Sequence, residues 1–139
     1  RKLAKKDFEA LSQFRYQMRR FERFSERAAQ AEGLTPQQYL VLLHIKGVPG
    51  RDWASVGEIA ERLLIRPHTA AELVNRLERL DLVRREPDPE DGRRVEVVLT
   101  AKAERILESL SASHLEELRA MRPLLNRLLT RIDDDTPAR

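Results

Sequence analysis

The side chains best suited to chemistry in this 139-residue sequence are arginines set among small hydrogen-bonding residues. Arg66, His68, Thr69, Glu72, Asn75 and Arg76 crowd into one short stretch. At helical spacing, Thr69, Glu72, Asn75 and Arg76 share a face. An arginine can bond guanine with two N–H groups and an asparagine can bond adenine, each discriminating by roughly 1–3 kcal/mol. A second pair, Arg93 and Arg94, sits in a polar loop, where an arginine can enter a narrow groove of strongly negative potential. This is recognition chemistry rather than bond-breaking chemistry. A solvated face carrying Glu72 and Arg76 as an i,i+4 ion pair would use the same residues. His68 is also what an ordinary surface position near a helix start would carry.

Catalysis needs a nucleophile, a base and an orienting group. The histidines stand at His44, His68 and His114, at no metal-ligand spacing such as HExxH, and there is no Gly-rich phosphate loop. Glu116 and Glu117 read as a solvated face. Cysteine is absent, which removes disulfides and thiolate chemistry. The sequence therefore predicts no enzyme, no metal site and no cofactor.

The elements that position these residues follow from capping and periodicity. Ser55-Val56-Gly57-Glu58 is a capping box, so a helix begins at Val56, with Val56, Ile59, Ala60 and Leu63 inward. Leu64-Ile65-Arg66 leaves room only for a sharp turn. Pro67 opens a second helix running to about Leu80, with Ala70, Leu73, Val74, Leu77 and Leu80 as its core face. Two short helices joined by a tight turn are a helix-turn-helix. Arg66 is a poor N-cap and its charge opposes the helix dipole by a few tenths to about 1 kcal/mol, which a phosphate or base edge would offset. Leu82–Glu86 and Val95–Leu99 are strand-like, and Pro87–Arg94 between them is rich in turn residues, giving a β-hairpin wing. In that tip one of the two arginines is expected to pair with Asp91.

Upstream, Thr35-Pro36-Gln37-Gln38 starts a buried helix that holds Tyr39 and ends before Gly47. Trp53 then falls in a short loop. Long amphipathic segments bracket this region. Phe8, Leu11, Phe14, Met18, Phe21, Phe24, Ala28 and Ala31 form one stripe. Leu107, Leu110, His114, Leu118, Met121, Leu125, Leu128 and Ile132 form another, which Pro123 is expected to break or kink. Four Phe on one stripe exceed what a lone helix would leave in water, so a second copy of the chain is the expected cover. The end from Asp133 to Arg139 is expected to fray.

Net charge is +3, yet it is unevenly placed. Residues 1–27 hold 9 Lys/Arg against 4 Asp/Glu, whereas residues 28–100 hold 10 against 12. The helix-turn-helix region is not basic overall, so bulk charge argues only for non-specific attraction to DNA. No signal peptide and no membrane span is read, and a cytoplasmic protein is expected.

Glu58-Ile59-Ala60-Glu61-Arg62-Leu63, then Thr69 with Leu73–Glu78, Leu82–Arg85, and above all Asp88–Arg94 running into Val97-Val98-Leu99-Thr100, resemble the MarR family of bacterial transcriptional regulators. The resemblance implies a mainly α fold with a small β-hairpin wing (α+β): a winged helix-turn-helix over 35–100 between dimerisation helices at 1–33 and 101–132, in one domain of 139 residues. It implies a sequence-specific DNA-binding regulator, a repressor released by a small-molecule effector, acting as a homodimer on a pseudo-palindromic double-stranded operator. Asp91 would be structural and Arg94 or Arg93 would touch DNA. An effector pocket would draw on Met18, Tyr39 and Trp53. Two positions depart from the family pattern: Arg66 stands where a small capping residue is usual, and Glu72 where a polar or basic one is frequent. The alternative is a winged-helix protein-interaction module without DNA binding.

Overall fold

A computed structural model of the chain describes residues 2–133. The element order is α1 (Lys5–Ala31), α2 (Pro36–Lys46), β1 (Trp53–Ala54), α3 (Val56–Leu63), α4 (Pro67–Arg79), β2 (Val83–Pro87), β3 (Val95–Leu99) and α5 (Ala101–Asp133). The expected fraying of residues 134–139 lies outside the described residues. Contacts gather the described residues into two compact units, residues 29–110 and the two ends, 2–28 with 111–133. The head unit thus takes in the close of α1 and the first turns of α5.

In the head unit the capping chemistry sets the helix starts. Thr35 and Ser55 each accept from the backbone N–H three residues on, and Gln38 and Glu58 return the bond to the cap N–H. Pro36 and Pro67 stand at first helical positions. The core is Val41, Leu42 and Ile45 of α2, Ile59 and Ala60 of α3, Val74 and Leu77 of α4, and Val83 and Val97 of the sheet. Each large member stabilises the unit by roughly 1.5–3 kcal/mol through area removed from water. Leu80, expected in the core, is the exposed C-cap of α4. Thr100 caps α5, accepting from Ala103 N–H, while its hydroxyl donates to the Asp81 carbonyl at 2.8 Å.

The sheet has three antiparallel strands in the order β1-β3-β2, not the two of a hairpin alone. Trp53 lies opposite Val98 and Ala54 opposite Val97, so Trp53 belongs to a strand and not to the expected loop. Directly opposed residues share a face. Ala54, Val97 and Arg85 therefore point one way, and Trp53, Val98 and Arg84 the other.

The turn between α3 and α4 closes as a Schellman motif, with Ile65 N–H on the Ala60 carbonyl and Leu64 N–H on that of Glu61. Leu64 occupies the left-handed position at φ 56°, ψ 43° and is 91% exposed. A Cβ there costs roughly 1–2 kcal/mol, and asparagine tolerates the conformation better. Leu64→Asn is expected to stabilise the chain by about 0.5–1 kcal/mol, read as a higher urea midpoint at unchanged slope.

His44 of α2 is half-buried, and burial first, then the charge of Arg62, hold its pKa below the ordinary 6.5. The folded state therefore keeps a neutral imidazole that the unfolded chain protonates. The stability this contributes is present above pH 6.5 and is lost as pH falls through the folded value. His44→Gln is expected to flatten the fall in thermal midpoint between about pH 7 and 5. An equal fall in both proteins would remove His44 as its source.

In the helical unit, α1 and α5 run antiparallel. His114 meets Phe21 and Phe24 edge-on at ring separations of 5.8 and 5.2 Å, and its Nε2 lies 2.8 Å from Ser25 Oγ. Toward the other end an apolar cavity of about 660 Å³ opens among Leu11, Phe14, Leu125, Leu128 and Ile132. Among the described residues of this unit only Ala10, His114 and Leu128 are buried, while Phe8, Leu11, Phe14, Met18, Leu118 and Ile132 remain exposed. Of the break or kink expected at Pro123, the break does not occur: α5 runs on through it. Its missing N–H leaves the Arg119 carbonyl without that helical bond, and both residues are exposed, so the carbonyl is open to solvent.

Candidate nucleic-acid interface

Helix α4 turns Ala70, Val74 and Leu77 inward, which leaves one polar face outward. Arg66, His68, Thr69, Glu72, Asn75 and Arg76 are all exposed. Arg66 is the N-cap in extended conformation, and its side chain makes no capping bond. His68 Nε2 lies 3.3 Å from Glu72 Oε1, an ion pair when the imidazole is protonated, and no ion pair joins Glu72 to Arg76 among the described residues. Arg76, Asn75 and Thr69 have no side-chain hydrogen bond or ion pair among the described residues. Their donors are available to a ligand.

The loop between β2 and β3 folds on its own aspartates. Asp88 Oδ1 accepts from Glu90 N–H at 2.8 Å and Asp91 N–H at 3.3 Å, and Asp91 Oδ1 accepts from Arg93 N–H at 3.1 Å. Asp91 thus binds a backbone amide; the expected ion pair with a guanidinium is not formed. The two arginines separate. Arg93 is exposed and its guanidinium has no partner among the described residues, whereas that of Arg94 lies 4.5 Å from the Trp53 ring centroid.

Two arginines were missed from the sequence. Arg51 lies 3.8 Å from the same indole and is ion-paired to Glu58. Arg85 pairs with Glu78 and reaches the Ala71 carbonyl, tying β2 to α4. Burial alone would raise the pKa of Glu58, but bonds from the Ser55 backbone and hydroxyl, with Arg51 beside them, hold it below 4.5. The alternation Arg51-Asp52-Trp53-Ala54 was the available signal, too short to be read as a strand. The three residues named for an effector pocket are placed apart in kind: Tyr39 is buried in α2, Trp53 is half-buried in the sheet, and Met18 is exposed on α1. The 660 Å³ cavity is lined by none of them.

A capped helix, a Schellman turn, a second helix with a polar outer face and a three-stranded wing define a winged helix-turn-helix protein. Residues 32–94 match the model of the MarR family. Over 74 residues the chain is 43% identical to the transcriptional regulator HosA of Escherichia coli O111:H-, a match spanning 53% of each protein; the chain thus matches about half the length of that curated relative. Its fold is similar to that of AbsC, a MarR family transcriptional regulator from Streptomyces coelicolor, with TM-score 0.73 and 24% identity over 96% of this chain and 91% of that one. It is also similar to a variant of MepR from Staphylococcus aureus bound to an oligodeoxyribonucleotide, with TM-score 0.68 and 21% identity over 87% and 96% of the two chains. Among the described residues, no helix is long and apolar enough to cross a membrane and no group of three or more His, Asp or Glu could hold a metal ion.

Proposed function

We propose that this chain is a sequence-specific DNA-binding transcriptional regulator that works as a homodimer in the bacterial cytoplasm. The carrying observation is the outward face of α4, where Thr69, Asn75 and Arg76 are exposed and unpaired among the described residues. Buried polar groups are normally satisfied, and exposed ones need no partner, but a planar guanidinium beside a carboxamide at this spacing matches base edges. The oligonucleotide held by the MepR variant supports duplex DNA as the ligand class. Dimerisation is supported by the helical unit, whose apolar stripe one chain does not cover. A pseudo-palindromic operator with half-sites about 10 bp or a multiple apart follows from two such heads. Repression relieved by a small molecule rests on the family likeness.

The slight acidic excess of residues 28–100 favours the rival, a winged-helix protein-interaction module. The deciding experiment is titration of the full chain against a labelled duplex from upstream of its own gene, at several salt concentrations. Binding that weakens linearly in log–log form with salt supports the DNA reading. No binding even at low salt sinks it.

A further inference from the structure

We propose that Trp53 is the positioning residue of the wing: with the Arg51 and Arg94 guanidiniums against its indole, it makes Arg94 an anchor and leaves Arg93 as the arginine that reaches DNA. The inference rests on the DNA-binding reading above. Arg94 is held at three points. Its N–H donates to the Asp91 carbonyl at 3.0 Å, its own carbonyl accepts from Asp88 N–H at 2.9 Å, and its guanidinium lies 4.5 Å from the Trp53 ring centroid. Backbone and side chain together therefore fix the point where the loop rejoins β3. Arg93, one residue earlier, spends only its backbone amide on the loop. Of the two, Arg93 has the unengaged cation.

The ring is well placed for this. Trp53 lies on β1 opposite Val98 of β3, on the strand next to the wing's own, and is half-buried. A tryptophan face attracts a guanidinium through its quadrupole, and a partly dry site strengthens the attraction. Arg51 lies 3.8 Å from the same centroid and is ion-paired to Glu58, whose carboxylate also accepts from the Ser55 N–H at the start of α3. A continuous set of contacts thus runs from the wing loop through Arg94, Trp53, Arg51 and Glu58 to the first helix of the helix-turn-helix. Arg51 Nε is buried and has no hydrogen-bond partner among the described residues; what holds the side chain is the ring and Glu58. For Arg94 to enter a groove it would have to leave the ring and loosen the loop it closes. Arg93 faces no such cost.

The test uses the full chain, a labelled duplex from upstream of its own gene and a mixed-sequence duplex of equal length. Trp53 is the one tryptophan of the chain, so its fluorescence reads the stack directly. Arg94→Leu is expected to raise acrylamide quenching of Trp53 in the DNA-free protein. Trp53→Leu and Arg94→Leu should each weaken DNA binding by about threefold to tenfold, and the double variant should be no weaker than either. Trp53→Phe should recover most of the affinity, because it keeps an aromatic face. Arg93→Ala alone should reduce the slope of log K against log salt, by about 0.9 for each phosphate it no longer neutralises. Thermal midpoints identify any variant that fails to fold, and Arg94→Leu with Trp53→Phe then carry the test. Unchanged quenching in Arg94→Leu, a salt slope that falls with Arg94 as it does with Arg93, or wild-type binding by Trp53→Leu would each overturn the proposal. Absence of wild-type DNA binding overturns the functional reading and the division of labour with it, while the quenching result still reports the stack by itself.

Discussion

Phe14→Glu is expected to turn the proposed dimer into a monomer, seen as a halved mass by light scattering at micromolar concentration. Phe14 is 43% exposed on α1 and lines the 660 Å³ cavity with Leu11, Leu125 and Ile132. Leu11, Leu129 and Ile132 around it are more than half exposed in the single chain. So much apolar surface in water is not what an isolated two-helix unit can keep, and a second copy is its natural cover. A carboxylate placed there would be buried without a partner, costing about 3 kcal/mol or more, roughly a hundredfold in the dimer dissociation constant. DNA affinity should fall with it, by roughly a hundredfold, because one head no longer brings the second to its half-site. The head unit has its own core, so its far-UV signal should persist. A variant that remains dimeric would show that the partner covers another face.

The head was largely legible because its signals are local. Both capping boxes, Pro36 and Pro67 at first helical positions, and the inward Ala70, Val74 and Leu77 are set within a turn or two of chain. Single positions failed where tertiary context decides. A proline inside a helix is tolerated more readily where its freed carbonyl is open to solvent, and exposure is not written in the residues beside it. β1 has two residues, too few to show alternation, and becomes a strand only because β3 lies alongside. The aspartate-rich loop announced a turn, but which arginine it frees depended on Trp53, 41 residues upstream of Arg94 at the loop's end. The candidate site divides the same way. The α4 face could be read from a helical wheel, whereas the roles of Arg51 and Arg85 needed the sheet.

Arg76→Ala is expected to lower the preference of the chain for its operator over scrambled DNA by roughly tenfold to a hundredfold per half-site, or about 1–3 kcal/mol. The reason is geometric. Arg76 stands one helical turn beyond Glu72 and beside Asn75 on the outward face of α4, with no ion pair among the described residues to hold it back. A guanidinium there can offer guanine two parallel N–H groups, and an ammonium cannot. Arg76→Lys should therefore keep the salt dependence of binding yet lose most of the discrimination. The acidic neighbour separates the contributions further. Glu72 lies 3.3 Å from His68 rather than against Arg76, and as an exposed carboxylate near phosphates it would oppose non-specific binding. Glu72→Gln should tighten binding to scrambled DNA more than to the operator, lowering specificity from the opposite side. Equal losses on operator and scrambled duplex in Arg76→Ala would make Arg76 a phosphate contact, and base reading would then have to come from Thr69 and Asn75.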